Sequence, residues 1–521
     1  MRAPRWLLAI WFCFLVRAFF YCAALPLWEG YDEWSHFAVV QRMAFRGEPF
    51  VSRESQIPRD VEASLQLAPV PWECRYLPPP SVTYDEFWRL PAAERGRREA
   101  EFRAIPSAWA RQDSTGNLKT YEGLQGPLAG WMMSAVLLAA RDAHLSTQVL
   151  LLRWFGMAIL SLVIPLTFLI ARSVFRHDAT ALGCAAVIGA MPGFLIGIAR
   201  VSNESIAVAL FTALLWLSVA ELTRWRLIAL GAVLGLGLLA KAYFLAAIPP
   251  VALLLVWKCR HRRVLLVPLA TLAIAGWWYV RNLLTTGTLS GMWESAVQPS
   301  ATLGAQLQHA TRVPWLVTID SILFSHLWLG AWSTLTARSW MYHFFYLLIA
   351  LAMLGLALRM SAGAIRILAT IILVFWLGQL YHANLLSMVW GIATSLGVYL
   401  NAVAAGEVTL CVAGLRALLP RAARRYAAPA GVALFALFDF YTLQMVALPY
   451  YTGFVAHRPG GPVASFHPAG ASLAEFLTRL AAFKSPLLPE AVLAALWVLY
   501  FAATLGLVVI SFAAARRETS P

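Results

Sequence analysis

MRAPR WLLAIWFCFLVRAFFYCAALPL WEGYDEWSHF, Met1 to Phe37, sets basic residues, an apolar run (Trp6 to Leu27) and an acidic cluster in that order. A run of about 20 apolar residues crosses a bilayer as a helix. It contains no obvious A-x-A cleavage site, so it reads as a retained helix and not as a signal peptide. Arg2 and Arg5 then mark the cytoplasmic side, and the chain from Trp28 onward is delivered outside.

Similar runs recur almost to the C-terminus, and the predicted spans are roughly 6–27, 147–171, 179–199, 205–222, 226–240, 242–257, 264–281, 339–358, 364–381, 398–415, 428–448 and 490–513. Of the 521 residues 60% are hydrophobic and 13% charged, with a mean hydropathy of +0.67. Soluble domains carry about 25% charged residues, so the composition excludes an ordinary soluble enzyme. It is too apolar for disorder and lacks the glycine period of a fibre. The expected fold is an all-α polytopic membrane protein of about 12 transmembrane helices. A large first extracytoplasmic loop, Trp28 to about Ser146, contains juxtamembrane helices, and no soluble domain or repeat is evident.

The net charge of +15 suggests nucleic acid until the charges are located. Trp28 to Gly126 holds 15 of the 26 acids and 12 of the 41 Lys and Arg, a net of −3. Most of the positive excess lies in short breaks between apolar runs, as the positive-inside rule requires of cytoplasmic loops. The basic balance reports topology, and no nucleic-acid partner is expected. Parity decides one ambiguous segment, Gly126 to Ala140. If it crossed, Arg172/Arg176, Arg224/Arg226 and Lys258/Arg260/Arg262/Arg263 would face outside; if it only dips into the membrane, every basic cluster falls inside, with both termini. Outer loops are then 28–146, 282–338 and 449–489, with short outer turns at Arg200 to Glu204 and His382 to Gly397. Within the first loop, Gln56 to Arg103, with Pro78-Pro79-Pro80, reads as irregular chain followed by a polar surface helix. The six cysteines are scattered, with Cys259 in a basic break and only Cys74 in the large loop, which excludes disulfide and zinc chemistry there.

Chemistry-bearing candidates cluster on the predicted outer side. In Glu29-Gly-Tyr-Asp32-Glu33-Trp-Ser-His36, Asp32 and His36 share a helix face, and adjacent carboxylates suit a general base or a cation. The structural alternative is that Asp32 or Glu33 caps a helix. Arg200-Val-Ser-Asn203-Glu204 places an acid at the same level, or forms a capping box. Lys241 lies between apolar halves, where an ammonium wants an anion such as lipid phosphate or snorkels to the headgroups. Arg281 ends Gly276-Trp-Trp-Tyr-Val-Arg-Asn outside, against the positive-inside trend, either as a phosphate clamp or within an aromatic belt. Glu122 and Gln125 open the dipping segment, to bind sugar hydroxyls or to cap. Asp439 and Glu407 fall inside predicted helices without an obvious sequence partner.

In order and spacing these positions resemble the GT-C superfamily of membrane glycosyltransferases, near aminoarabinose transferases and protein O-mannosyltransferases. The resemblance covers about 290 residues: Asp32-Glu33, Tyr121-Glu-x-x-Gln-x-Pro-Leu128, the acidic turn, the lysine after helix 5 and the aromatic Arg-Asn end of helix 7. It divides the chain into a GT-C-like module, 1–290, and a variable C-terminal module, 291–521. It implies a bacterial inner-membrane enzyme whose active site faces outside, moving sugar from a polyprenyl-phosphate donor to a hydroxyl acceptor with inversion. Asp32 would be the base, with Glu33 or His36 orienting it; Glu122, Gln125, Asn203 and Glu204 would bind substrate; Lys241 and Arg281 would hold the donor phosphate. A divalent cation, Mg or Mn given oxygen ligands, would sit at Asp32 and Glu204 if one is bound. The chain departs from the family pattern at Gly126-Pro127, where two prolines are usual, and at Glu204, where Asp is usual. The competing classes are a lipid-linked-sugar flippase and a noncatalytic subunit of polysaccharide assembly; neither needs a carboxylate pair outside.

Overall fold

A computed structural model of the chain describes residues 3–77, 81–258, 262–292, 303–358, 363–458, 463–468 and 472–517. The prolines at 78–80, the break residues Cys259 and Arg260, and the start of the basic break at Arg359 lie outside the described residues. Among those described there is no strand, only helices and four isolated bridges. Apolar runs surrounded by lipid must satisfy every backbone N–H and C=O internally, and a helix does so.

All twelve predicted runs are helical in the structure. Seven described helices are long and apolar enough to cross a membrane: Ala3–Ala24, Leu145–Phe175, Arg262–Thr286, Ser339–Ala357, Gly363–Trp390, Arg424–Tyr451 and Glu490–Arg517. The pair Asp178–Ala190 and Pro192–Ile198 makes an eighth if it crosses as one span bent by 52°. Pro192 accounts for the bend, since it opens the second helix and has no N–H to continue the first. Glu204–Val219 has 16 residues, roughly 24 Å at 1.5 Å per residue. The figure of about 12 therefore counts apolar helices, not full-length spans.

Two further differences have local causes. Gly363–Trp390 runs for 28 residues through the turn expected near His382, because it contains no proline and keeps Gly378 within the helix, ending only before Gly391, at φ 70°. Trp315–Leu327, a 13-residue apolar helix, lies in the predicted loop 282–338 and is too short to register as a span.

The loop after the first helix is a folded cap with the expected juxtamembrane helices and the polar surface helix Ala92–Arg103. Only the stretch read as irregular chain differs, since it holds Arg59–Leu67 and Tyr84–Arg89. The cap contains the helices Glu33–Arg46, Arg59–Leu67, Tyr84–Arg89 and Ala92–Arg103. Trp28, Phe37, Ile57, Phe87 and Phe102 are buried in one apolar cluster, each large side chain contributing roughly 1.5–3 kcal/mol. Met133 and Leu137 of Leu128–Ala139, with Val149 and Leu152 of Leu145–Leu160, complete that cluster. The cap is thus built onto the helices and is not a separate domain. Leu128–Ala139 has 12 residues, about 18 Å, too short for a hydrocarbon core of about 30 Å; this agrees with a segment that dips. At the other end, Ala3–Ala24 packs on Glu490–Arg517 and Asp178–Ala190, so residues from both sides of position 290 share one core, with Phe14, Cys184 and Leu507 in a single cluster.

Candidate functional site

Four chain breaks meet under the cap: the turn before Glu33–Arg46, the 3-10 turn Tyr121–Leu124, the Arg200 to Asn203 turn, and the break at Lys241. Asp32 stands at the N-cap position of Glu33–Arg46 in left-handed backbone, φ 57°. This conformation is uncommon outside glycine and is best tolerated by Asp and Asn. Its side chain makes no cap bond. Oδ1 instead accepts the Tyr121 hydroxyl at 2.6 Å, and Oδ2 meets no described donor. Gly30 permits the turn, because a Cβ there would collide with Arg200 Cβ.

Glu33 does not share that space. It is fully buried, held by Arg153 at 2.7 Å and 2.6 Å, and its Oε1 accepts the Val201 N–H at 2.9 Å. Arg153 also donates to the carbonyls of Cys22, Leu25 and Pro26. Glu33 therefore ties the first helix, the cap and the 201 turn together, and neither of its oxygens is free for a substrate. The predicted carboxylate pair separates into one structural and one open acid.

One helical turn on, His36 Nε2 lies 3.5 Å from Glu122 Oε2, and Ser35 Oγ accepts the Glu122 N–H at 3.2 Å. His36, Met43, Glu122, Gln125, Gly130 and Asn203 line a small cavity of mixed polar and apolar character. The Asn203 amide donates to Gln125 Oε1 at 3.3 Å and to the Ala240 carbonyl at 3.1 Å, and its Oδ1 accepts from Lys241 Nζ at 3.3 Å. Lys241 does not snorkel. It is in extended backbone between Arg224–Ala240 and the turn Ala242–Ala247, paired with Glu204. Its ammonium sits 4.8 Å from the Tyr399 ring centroid. Tyr243 donates to the other Glu204 oxygen at 3.3 Å, and no capping box forms, since Asn203 at the N-cap makes no side-chain cap bond and the Glu204 carboxylate is held by Lys241 and Tyr243.

Burial raises the Asp32 carboxyl above its ordinary range, opposed by the Tyr121 bond and then by the charges of Arg200 and Lys241. Burial and the nearby Asp32 charge push Glu122 up to about 8. Burial, with Arg200 and Lys241 beside it, holds His36 well below 6.5. At neutral pH the site thus offers a neutral acid at Glu122 and a neutral imidazole next to the open carboxylate.

The structure brings Asp32, His36, Glu122, Gln125, Asn203, Glu204 and Lys241 together. It does not bring Arg281, whose guanidinium lies 4.9 Å from the Phe50 ring and 5.0 Å from Trp278, within a group that includes Trp131 and Trp277. Sequence reading missed Arg153, Arg200 and Tyr399. An arginine inside the apolar run 147–171 was a usable signal; nothing near Tyr399 marked it.

A divalent cation at Asp32 and Glu204 does not fit this arrangement, because Lys241 and Tyr243 occupy both Glu204 oxygens. Among the described residues no three His, Cys, Asp or Glu side chains form a ligand set.

Fold and site together define a helical membrane protein with an incompletely paired acid–base cluster at its helix ends. No family model and no curated protein matches the chain. Among solved structures it is similar to ArnT from Cupriavidus metallidurans bound to undecaprenyl phosphate, at 12% identity and a TM-score of 0.46, over 97% of this chain and 76% of that one. It is also similar to the Archaeoglobus fulgidus oligosaccharyltransferase in the apo form, at 12% identity and a TM-score of 0.41, over 96% of this chain and 56% of that one.

Proposed function

We propose that the chain is a GT-C-type glycosyltransferase of the bacterial inner membrane, moving a sugar from a polyprenyl-phosphate donor to a hydroxyl of a glycan, lipid or protein at the outer face. The observation that carries this reading is Asp32: a carboxylate turned away from its cap role, fixed by one hydroxyl, and left with one oxygen open beside two buried cations.

Asp32 accepts the proton of the acceptor hydroxyl, and the acceptor oxygen attacks the anomeric carbon from the face opposite the phosphate. The bond from that carbon to the phosphate oxygen breaks, and its electron pair leaves on the lipid phosphate. The configuration inverts. A base whose pKa is raised toward neutrality is a stronger proton acceptor while still ionised. Glu122, neutral at pH 7, donates to a substrate oxygen, and Lys241 offsets the charge that develops on the departing phosphate. Gln125 and Asn203 line the wall that orients the sugar. No step passes through a metal ion.

The test is transfer of label from polyprenyl-phosphate sugars by the full chain in lipid vesicles, wild type against Asp32→Asn. Transfer by the wild type and none by the variant is expected. Equal transfer removes Asp32 as the base, and no transfer from any donor overturns the enzyme.

A further inference from the structure

Six Lys or Arg side chains are buried among the described residues: Arg17, Arg42, Arg98, Arg153, Arg200 and Lys241. Five of them lie within ion-pair distance of a carboxylate: Asp439 for Arg17, Glu48 for Arg42, Glu94 for Arg98, Glu33 for Arg153 and Glu204 for Lys241. Arg200, 3% exposed, has no such partner among the described residues. Its NH1 donates to the Tyr31 carbonyl, and its buried Nε has no acceptor. Arg17 also leaves its Nε unpartnered, so the missing counter-ion, not the orphan nitrogen, sets Arg200 apart. An uncompensated buried charge is costly unless an anion joins it.

The place of Arg200 says which anion. It grips the residue before Asp32 from both sides, bonding the Tyr31 carbonyl and lying 5.1 Å from the Tyr31 ring. Its charge reaches Asp32, His36 and Glu122. Asp32 spends its one bonded oxygen on Tyr121, and Lys241, whose ammonium acts on the phosphate only as a nearby charge, already has an ion-pair partner in Glu204. A guanidinium fork takes phosphate oxygens in a planar, bidentate manner that an ammonium cannot reproduce.

We infer that Arg200 seats a phosphate ester beside Asp32. The inference rests on the glycosyltransferase reading for its source, the donor lipid; the same chemistry would also accept a phosphate carried by the acceptor. It moves the phosphate contact at the reacting centre from Arg281, which is held among aromatic rings, to a residue within the cluster.

The test follows intrinsic tryptophan fluorescence of the full chain in nanodiscs during titration with farnesyl phosphate, farnesol or glucose 6-phosphate. Wild type binds farnesyl phosphate, Arg200→Gln binds it at least tenfold more weakly, and both bind farnesol equally. Binding of glucose 6-phosphate alone, sensitive to the same substitution, supports the seat and assigns the phosphate to the acceptor. Equal affinity of the two proteins for farnesyl phosphate, or no phosphate binding by the wild type, overturns it. If Arg200→Gln does not fold, Arg200→Lys decides: it keeps the charge but not the fork, and an affinity equal to wild type overturns the seat. The label-transfer assay separates the two ideas. Transfer by the wild type with unchanged phosphate affinity in the variant sinks only the seat; Arg200-dependent phosphate binding without transfer from any donor sinks only the enzyme.

Discussion

Two carboxylates in this protein, Asp439 fully buried and Asp32 half-buried, lie near arginines and are treated in opposite ways. Asp439, in Arg424–Tyr451, takes donors from Arg17, Tyr21 and Tyr500, and all four residues are buried. Arg17 also donates to the carbonyls of Gly189 and Ala190, at the end freed by the Pro192 bend. Asp32 takes one hydroxyl and keeps an oxygen open, and Arg200 near it has no carboxylate within ion-pair distance among the described residues. Both are shielded from solvent, Asp439 wholly and Asp32 in part, so shielding alone does not identify a reactive site. Saturation does: a closed network holds helices together, whereas an open one is completed only by something that arrives.

The largest expected effect is at Asp32. Asp32→Asn should lower transfer by about 10²- to 10⁴-fold, the usual contribution of a general base. Its thermal stability should stay near wild type, because Asn tolerates positive φ and its side-chain carbonyl can still accept the Tyr121 hydroxyl. The converse holds for Asp439→Asn. Leaving Arg17 uncompensated should cost about 3–5 kcal/mol, read as a lower unfolding midpoint in detergent, while each folded molecule retains its transfer rate. A stable Asp439→Asn protein without activity would break the comparison.

How much of this was legible depended on the kind of pattern involved. Apolar runs and basic breaks announced the helices, because length and charge are local properties. The bend at Pro192 and the 28-residue course of Gly363–Trp390 are decided by single residues at run ends, which a run-length reading averages away. Asp32, Glu122, Asn203, Glu204 and Lys241 were each visible as polar residues at helix ends, and the structure gathers them. The division of labour between Asp32 and Glu33 was not visible, because it depends on Arg153, 120 positions away in sequence. Tyr399 and Arg200 likewise gain meaning only from what folds against them.

The open cluster should also be the pH-sensitive one. With Asp32 as the proposed base, it must be ionised to accept a proton, so transfer should rise as pH climbs through its burial-raised range. Glu122, pushed up to about 8 by burial and by Asp32, is neutral below that value and charged above it. An ionised Glu122 puts a second negative charge beside Asp32 and against the departing phosphate, so transfer should fall by several-fold between pH 8 and 9.5. Glu122→Gln, locked in the neutral form, should lose that alkaline fall in a profile of kcat/KM against pH. The sign for stability runs the same way: a carboxyl whose folded pKa lies above its ordinary 4.5 stabilises fully below 4.5, and that contribution is lost as pH rises through about 8.

Arg281 tests the comparison from a third side, since its cation is met neither by a carboxylate nor by an empty seat but by ring faces. Phe50 and Trp278 lie 4.9 Å and 5.0 Å from its guanidinium carbon, a contact worth about 0.5–1 kcal/mol where solvent reaches it. Trp131 and Trp277, 37% and 41% exposed, extend the same aromatic group toward the surface. A cation on such a platform can steer a lipid phosphate during its approach without touching it at the moment of transfer. Arg281→Gln should therefore raise KM for the donor a few-fold and leave kcat unchanged, measured in vesicles of neutral lipid. A drop in kcat of the size expected for Asp32→Asn would move Arg281 into the reacting centre and remove the distinction between open and closed charge that sets Arg200 apart.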